Sequence, residues 1–164
     1  MYLCAIDVDS PYLPQLRALY ERSFPANERR TLEDLFAGFG SAHEMLVLVH
    51  EGRFAGFVSL LTWQDLTHIL YLAIEPDLRG LGLGSETLRL IREHKPSARI
   101  LADLEDVHPA AGNNPQRLRR MDFYRRGGYA PSEVRYEWRG ENYVMYVSGG
   151  KLTSDEFEAF WDHF

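Results

Sequence analysis

The sequence predicts an α+β domain built on one mixed β-sheet, and three observations carry that prediction. Apolar runs of strand length dominate the middle of the chain. Segments with helical spacing punctuate them. A proline stop and a glycine-rich loop also lead one buried strand straight into a helix, the connection that brings in a parallel neighbour.

Taken in order, Tyr2 to Ile6 is a short apolar run that reads as a first strand. Ser10-Pro11 reads as a helix start, with Ser10 the cap and Pro11 the first helical position. Leu13, Leu16, Leu19 and Tyr20 then recur at helical spacing until Pro25 breaks the pattern. Thr31, with Asp34 three residues on, reads as the cap of a short helix that ends at Gly38 and Gly40. Glu44 to Val49 is apolar on both faces, which predicts a covered strand. Glu51-Gly52 is a turn, Phe54 to Trp63 the return strand, and Thr67 to Ile74 a third strand stopped by Pro76.

The helix after the glycine loop runs from Gly82 to Glu93, and Pro96 marks its end. In the next strand, Ile100, Ala102 and Leu104 share one face, and Leu101, Asp103 and Glu105 the other. Two carboxylates on one face of a central strand need partners or a wet cleft. Asn114-Pro115 opens a further helix, with Asn114 the cap, Leu118, Met121 and Arg125 on one stripe and Gly127 at C′. Val134 to Trp138 and Tyr143 to Ser148 form an antiparallel pair around Gly140-Glu141-Asn142. Beyond Gly149-Gly150, Ser154 caps a last helix whose aromatic residues, Phe157 to Phe164, cover the core edge or a second copy in a homodimer.

Composition narrows the function. The 164 residues fit a single domain, 1–164, with residues 149–164 a helical extension. A net charge of −6 argues against nucleic-acid binding by phosphate neutralisation. The single cysteine, Cys4, excludes an intramolecular disulfide and a zinc-cysteine cluster, and reads as a buried strand residue. No leader pattern opens the sequence, and no apolar run is long enough to span a bilayer. The expectation is a cytoplasmic protein with no metal, nucleic acid or membrane partner.

Chemistry concentrates in Arg79-Gly80-Leu81-Gly82-Leu83-Gly84-Ser85. Bare backbone N–H groups at a helix start, with the positive end of the helix dipole behind them, make an anion site. No Lys-Ser or Lys-Thr follows the last glycine, so this is not a Walker A loop. The G-x-G-x-G spacing is not the dinucleotide G-x-G-x-x-G either.

The stretch Leu72 to Gly84 resembles the acyl-CoA-binding motif of the GNAT superfamily of N-acyltransferases, with Arg79, Gly82 and Gly84 at the motif positions. A second hallmark of that family is matched by Phe123-Tyr124-Arg125-Arg126-Gly127-Gly128-Tyr129, and the order of elements agrees from Tyr2 to Ser148. The resemblance implies a mostly antiparallel twisted sheet flanked by helices, with a central parallel strand pair that splays apart. It implies acetyl-CoA as donor, its pyrophosphate on the N–H groups of Leu81 to Ser85 beside Arg79 and Gly80, and its pantetheine along Leu72, Ala73 and Ile74. Tyr124 would meet the leaving sulfur, with Arg120 or Arg125 lowering its pKa.

The implied reaction is direct transfer of acetyl to a primary amine, on a small molecule or a peptide. A non-catalytic acyl-CoA sensor is the alternative. A base must deprotonate the amine, and the candidates are His68 and Glu105. The other reading of His68 is a solvated strand-end histidine, and of Glu105 a carboxylate paired with an arginine. Arg117 stands where many family members carry a cofactor-facing Asn, and Arg117, Arg119, Arg120, Arg125 and Arg126 either meet the 3′-phosphate or form a solvated face. The acceptor is expected at the loops around Phe24 and His108. There Glu28 suits a cationic amine and Arg29 or Arg30 an acidic group, without a choice between them.

Overall fold

The computed structural model describes residues 1–164. Its strands are β1 (Tyr2–Ala5), β2 (His43–His50), β3 (Arg53–Trp63), β4 (Leu66–Ile74), β5 (Arg99–Glu105), β6 (Ala130–Trp138) and β7 (Glu141–Ser148). Its helices are α1 (Leu13–Ser23), α2 (Leu32–Ala37), α3 (Leu83–His94), α4 (Asn114–Arg126) and α5 (Ser154–His163). The strands form one sheet in the order β1-β2-β3-β4-β5-β7-β6. Every neighbouring pair is antiparallel except β4 and β5. No helix is long and apolar enough to cross a membrane.

The parallel pair is short. It runs from Leu66 opposite Arg99 to Ile69 opposite Ala102 and stops, although β4 continues to Ile74 and β5 to Glu105. The cause lies on the other side of β4. Ser59 of β3 pairs with Tyr71 and Leu60 with Ile69, so Leu70 is an extra, unpaired residue. Such a bulge bends its strand and strengthens its twist, which carries the end of β4 away from β5. The expected splay is therefore present, with Leu70 at its apex.

Both faces of the sheet are covered. Leu88 and Ile91 of α3 and Tyr124 of α4 pack on Leu60, Ile69, Ile100 and Ala102. On the opposite face, Leu16 and Leu19 of α1 and Leu35 of α2 meet Val47, Phe57 and Tyr71. Beside them Phe160 of α5 packs on Leu61, Leu101 and Met145. The alternation expected for β5 is observed, since Ile100, Ala102 and Leu104 join the first cluster and Leu101 the last. The aromatic C-terminal segment thus closes the core of its own chain.

Several boundaries shift for local reasons. Helix α1 starts at Leu13 with Pro14 in its first turn. Ser10 instead forms a turn, its Oγ accepting from the Tyr12 N–H at 3.2 Å. Asn114 is not the cap of α4, because its side chain is spent on the His108 N–H at 2.9 Å. The left-handed residue after α4 is Gly128 at φ +91°, not Gly127. Thr153, not Ser154, caps α5, in a reciprocal capping box with Glu156. The β6–β7 turn is the two-residue Arg139-Gly140, both at positive φ, which suits the twist of a tight hairpin. Leu118 is exposed and Tyr124 is the one buried residue of α4, so the inner stripe of that helix is not the one its apolar residues suggest. Cys4 is half-buried rather than buried.

Phe160 has no exposed surface and stands between β5 and the rest of α5. Phe160→Ala is expected to cost about 3–5 kcal/mol, measured by urea unfolding. A loss below about 1 kcal/mol would mean that α5 is not part of the core.

Candidate active site

The splay opens a cleft, one side of which is built by the glycine loop. Gly80 and Gly82 lie at φ +80° and +76°, where side chains are strained and where these two have open space around them. Gly82 caps α3, and the first helical bond runs from the Glu86 N–H to the Gly82 carbonyl at 3.1 Å. The N–H groups of Leu83, Gly84 and Ser85 consequently have no acceptor within the helix. Gly84 answers a different need. A Cβ there would stand 2.9 Å from the Phe123 ring of α4, so the glycine lets that ring rest on the loop.

These N–H groups front a cavity of about 400 Å³ lined by Leu72, Ala73, Ile74, Arg79, Arg120 and Arg126 among others. Unbonded N–H groups and guanidinium groups around one cavity are the chemistry that holds an anion. Leu81 is exposed at the loop tip. Of the expected arginine cluster, Arg120 and Arg126 reach this cavity.

A neighbouring cavity of about 800 Å³ shares Leu72, Arg79, Arg120 and Phe123 with it and adds Tyr124 and Glu28. Tyr124 is 8% exposed. Burial outweighs the lowering influence of Arg120 and pushes its phenol up to about 12. The expected net lowering by arginine is therefore reversed.

Beyond lies a chamber of about 320 Å³ roofed by the loop after α1 and walled by β4, β5, β6, β7 and α5. Glu28, Glu105, Arg120 and Phe24 border both this chamber and the Tyr124 cavity, so the two adjoin at those residues. Tyr71 fixes the roof. Its hydroxyl donates to the Glu28 carbonyl at 2.8 Å and accepts from the Arg30 N–H at 3.1 Å. Tyr20 donates to the Arg30 carbonyl at 2.8 Å.

The three chamber carboxylates differ in their partners. Glu105 lies 2.7 Å from the Arg117 guanidinium, which also reaches Glu141 at 3.2 Å and the Asp106 carbonyl at 2.9 Å. Arg117 thus clamps two carboxylates where a solvated face was one reading, and Asn113 is drawn into the same cluster. Asp103 accepts from Tyr136 at 2.9 Å and sits 3.1 Å from His68 Nε2. Burial works to raise the Asp103 pKa, but the bonds and charge of His68 and the Tyr136 hydroxyl hold it below the usual carboxylate range. Glu28 has only Tyr143, at 3.5 Å. Burial, then the charge of Glu105, raise its pKa above the ordinary value.

His68 is 3% exposed and lies mid-strand, so it is not the solvated strand-end residue of one sequence reading. Its Nδ1 is buried without a partner beneath Phe160 and Trp161. His108 is exposed and lines none of the three cavities. Phe24 borders all three, and the chamber is walled by Tyr136, Trp138, Tyr143, Phe157 and Trp161, residues that sequence reasoning used only as strand or core. The signal was present in β6, where Val134, Tyr136 and Trp138 alternate toward one face.

A family model described as the acetyltransferase (GNAT) family matches residues 13–129. A sequence search of curated proteins finds no match. Among solved structures, a putative GNAT acetyltransferase from Bacteroides thetaiotaomicron is 21% identical, with a TM-score of 0.80 over 99% of this chain and 94% of its own. The ribosomal-protein-S18-alanine N-acetyltransferase of Escherichia coli is 15% identical, with a TM-score of 0.66 over 93% and 97%. A GNAT acetyltransferase of Elizabethkingia anophelis, solved with acetyl-CoA bound, is 13% identical, with a TM-score of 0.60 over 92% and 97%. At these identities the likeness is one of fold.

The Arg117 clamp is testable by stability alone. Arg117→Ala strands two carboxylates around a mostly buried site and is expected to cost about 3–5 kcal/mol, read by urea unfolding at neutral pH. Glu105→Gln in that background should recover part of the loss. A variant as stable as the parent would show that the clamp is merely superficial.

Proposed function

We propose that this chain, which belongs to the acetyltransferase (GNAT) family, transfers acetyl from acetyl-CoA to a primary amine by direct attack with both substrates bound. The observation that carries the proposal is spatial. The free N–H groups of α3 and the Tyr124 ring front adjoining cavities, and the second of these adjoins an aromatic-walled chamber at Glu28 and Glu105.

The donor-binding assignment is residue by residue. The N–H groups of Leu83, Gly84 and Ser85 take the diphosphate, Gly80, Leu81 and Gly82 shape the turn, and Arg79 adds positive charge beside it. Leu72, Ala73 and Ile74 offer the strand edge that β5 has abandoned to the pantetheine amides. Bound acetyl-CoA supplies a thioester whose C–S bond breaks as the C–N bond forms. Of the three protons on the ammonium, one stays on the amide, one ends on the thiol and one reaches solvent.

Glu28 suits the first proton removal. A carboxylate that is raised in pKa and makes no ion pair is a better base than one held by a guanidinium. Glu105, of the two bases named from sequence, is so held. Its charge helps raise the pKa of Glu28 and favours an ammonium nearby. His68, the other, is committed through Nε2 to Asp103 and holds the chamber wall.

Tyr124 suits the sulfur. With its phenol near 12, complete transfer to a thiol of pKa about 8.5 is uphill by on the order of 5 kcal/mol. The residue therefore serves as a hydrogen-bond donor to the leaving sulfur, and it stays protonated throughout the neutral range.

Tyr124→Phe is expected to lower kcat at least tenfold and leave acetyl-CoA affinity within about threefold, by stopped turnover assay and calorimetry. Loss of acetyl-CoA binding in that variant would make the residue an anchor instead. Glu28→Gln is expected to lower kcat/KM about 100-fold and remove the acid limb of the pH profile. In the parent that limb lies above the ordinary carboxylate range, because protonating a group of raised pKa abolishes the base as pH falls. An unchanged limb in Glu28→Gln would assign the base elsewhere.

A further inference from the structure

The chamber holds a second charge that acetyl transfer to a simple amine does not use. Arg30 lines it, with its guanidinium stacked over Phe39 at 5.2 Å and Trp161 at 5.7 Å. No carboxylate lies within ion-pair distance of Arg30, and its hydrogen bonds are backbone ones, to Tyr71 and Tyr20. The guanidinium N–H groups are left with no protein acceptor in an aromatic-walled cavity. Three carboxylates border the same chamber, yet none takes Arg30. Asp103 is bonded to His68 and Tyr136 and Glu105 to Arg117, while Glu28 makes no ion pair and feels Arg120 only at longer range.

The two unpaired charges occupy different ends. Glu28 borders both the chamber and the Tyr124 cavity, whereas Arg30 borders the chamber alone. The amine must lie at the Tyr124 end, since that is where the thioester would be. A group bound by Arg30 lies in the chamber itself, beside the Trp161 ring. The aromatic lining asks for an apolar body between the two ends. A volume of about 320 Å³ is at the small end for ligand pockets.

Resting on the acetyl-transfer reading, we propose that the acceptor is a small amphoteric amine. It carries its ammonium at Glu28, a carboxylate or comparable anion at Arg30, and an apolar or aromatic body between. The Tyr20–Tyr71 latch serves this role by fixing the backbone of both residues, so that the two charges are held at a set separation. Such preorganisation lowers the ordering cost of binding.

Three probes with one ring each separate the possibilities: 2-phenylethylamine, which lacks an anion, L-phenylalanine and 4-(aminomethyl)benzoate. Binding is read from the fluorescence of Trp138 and Trp161, which line the chamber, and turnover from thiol release with acetyl-CoA. At least one of the two amphoteric probes is expected to bind tenfold or more tightly than the plain amine. Arg30→Gln is expected to erase that preference and Arg30→Lys to keep part of it, since the charge survives. A plain amine that binds as tightly as both others would overturn the proposal. So would a preference that survives Arg30→Gln, or failure of all three to bind. Selective binding with no thiol release from any of them would leave the charge rule standing and remove the acetyl-transfer reading instead.

Discussion

A β-strand inside a sheet is obliged to pair on both edges, and β4 declines to do so past Ile69. An unpaired backbone edge in a sheet interior is costly unless something else satisfies it. That constraint organises the molecule. The extra residue at Leu70 turns β4 away, while β5 keeps its register with β7 up to Glu105. The gap so formed is central, and helices flank it on both faces. Each element near the gap contributes a different chemical need. Helix α3 brings unsatisfied N–H groups, α4 brings Tyr124, and β5 brings Asp103 and Glu105.

The electrostatics follow a similar division of labour. Charges that only hold the structure are paired twice over, as with Arg117 between Glu105 and Glu141, or Arg99 between Asp65 and Glu156. Four charged side chains that make no ion pair, Glu28, Arg30, Arg79 and Arg120, line the cavities. Of these, Glu28 and Arg30 are half-buried, where a partnerless charge is costly, and ligand charge is the partner proposed for them.

Much of this was legible in the sequence, and for identifiable reasons. The glycine loop is local. Positive φ at Gly80 and Gly82 and the room for Phe123 at Gly84 are needs that one residue type answers, so they leave a readable pattern. The alternation of β5 predicted which residues face the core because it depends only on strand period. The acceptor chamber was much less legible. It is assembled from β4, β5, β6, β7, α5 and a loop, and its rings look like ordinary core in the sequence. The bulge at Leu70 has no glycine or proline to mark it. The direction of the Tyr124 pKa was also misread. Neighbouring arginines are visible in sequence, whereas the burial that outweighs them is a property of the packed helix. The caps missed at Ser10 and Asn114 share one cause, since both side chains found other backbone donors within a few residues.

The position of α5 has a consequence for how the protein comes into being. Phe157 and Trp161 complete the chamber wall, and they follow every strand in chain order. Domains begin to organise while synthesis proceeds from the N-terminal side. The cradle of α3 and the ring of α4 therefore leave the ribosome before the far wall of the chamber does. On the function proposed above, the nascent chain holds its donor-binding residues before it can enclose an acceptor.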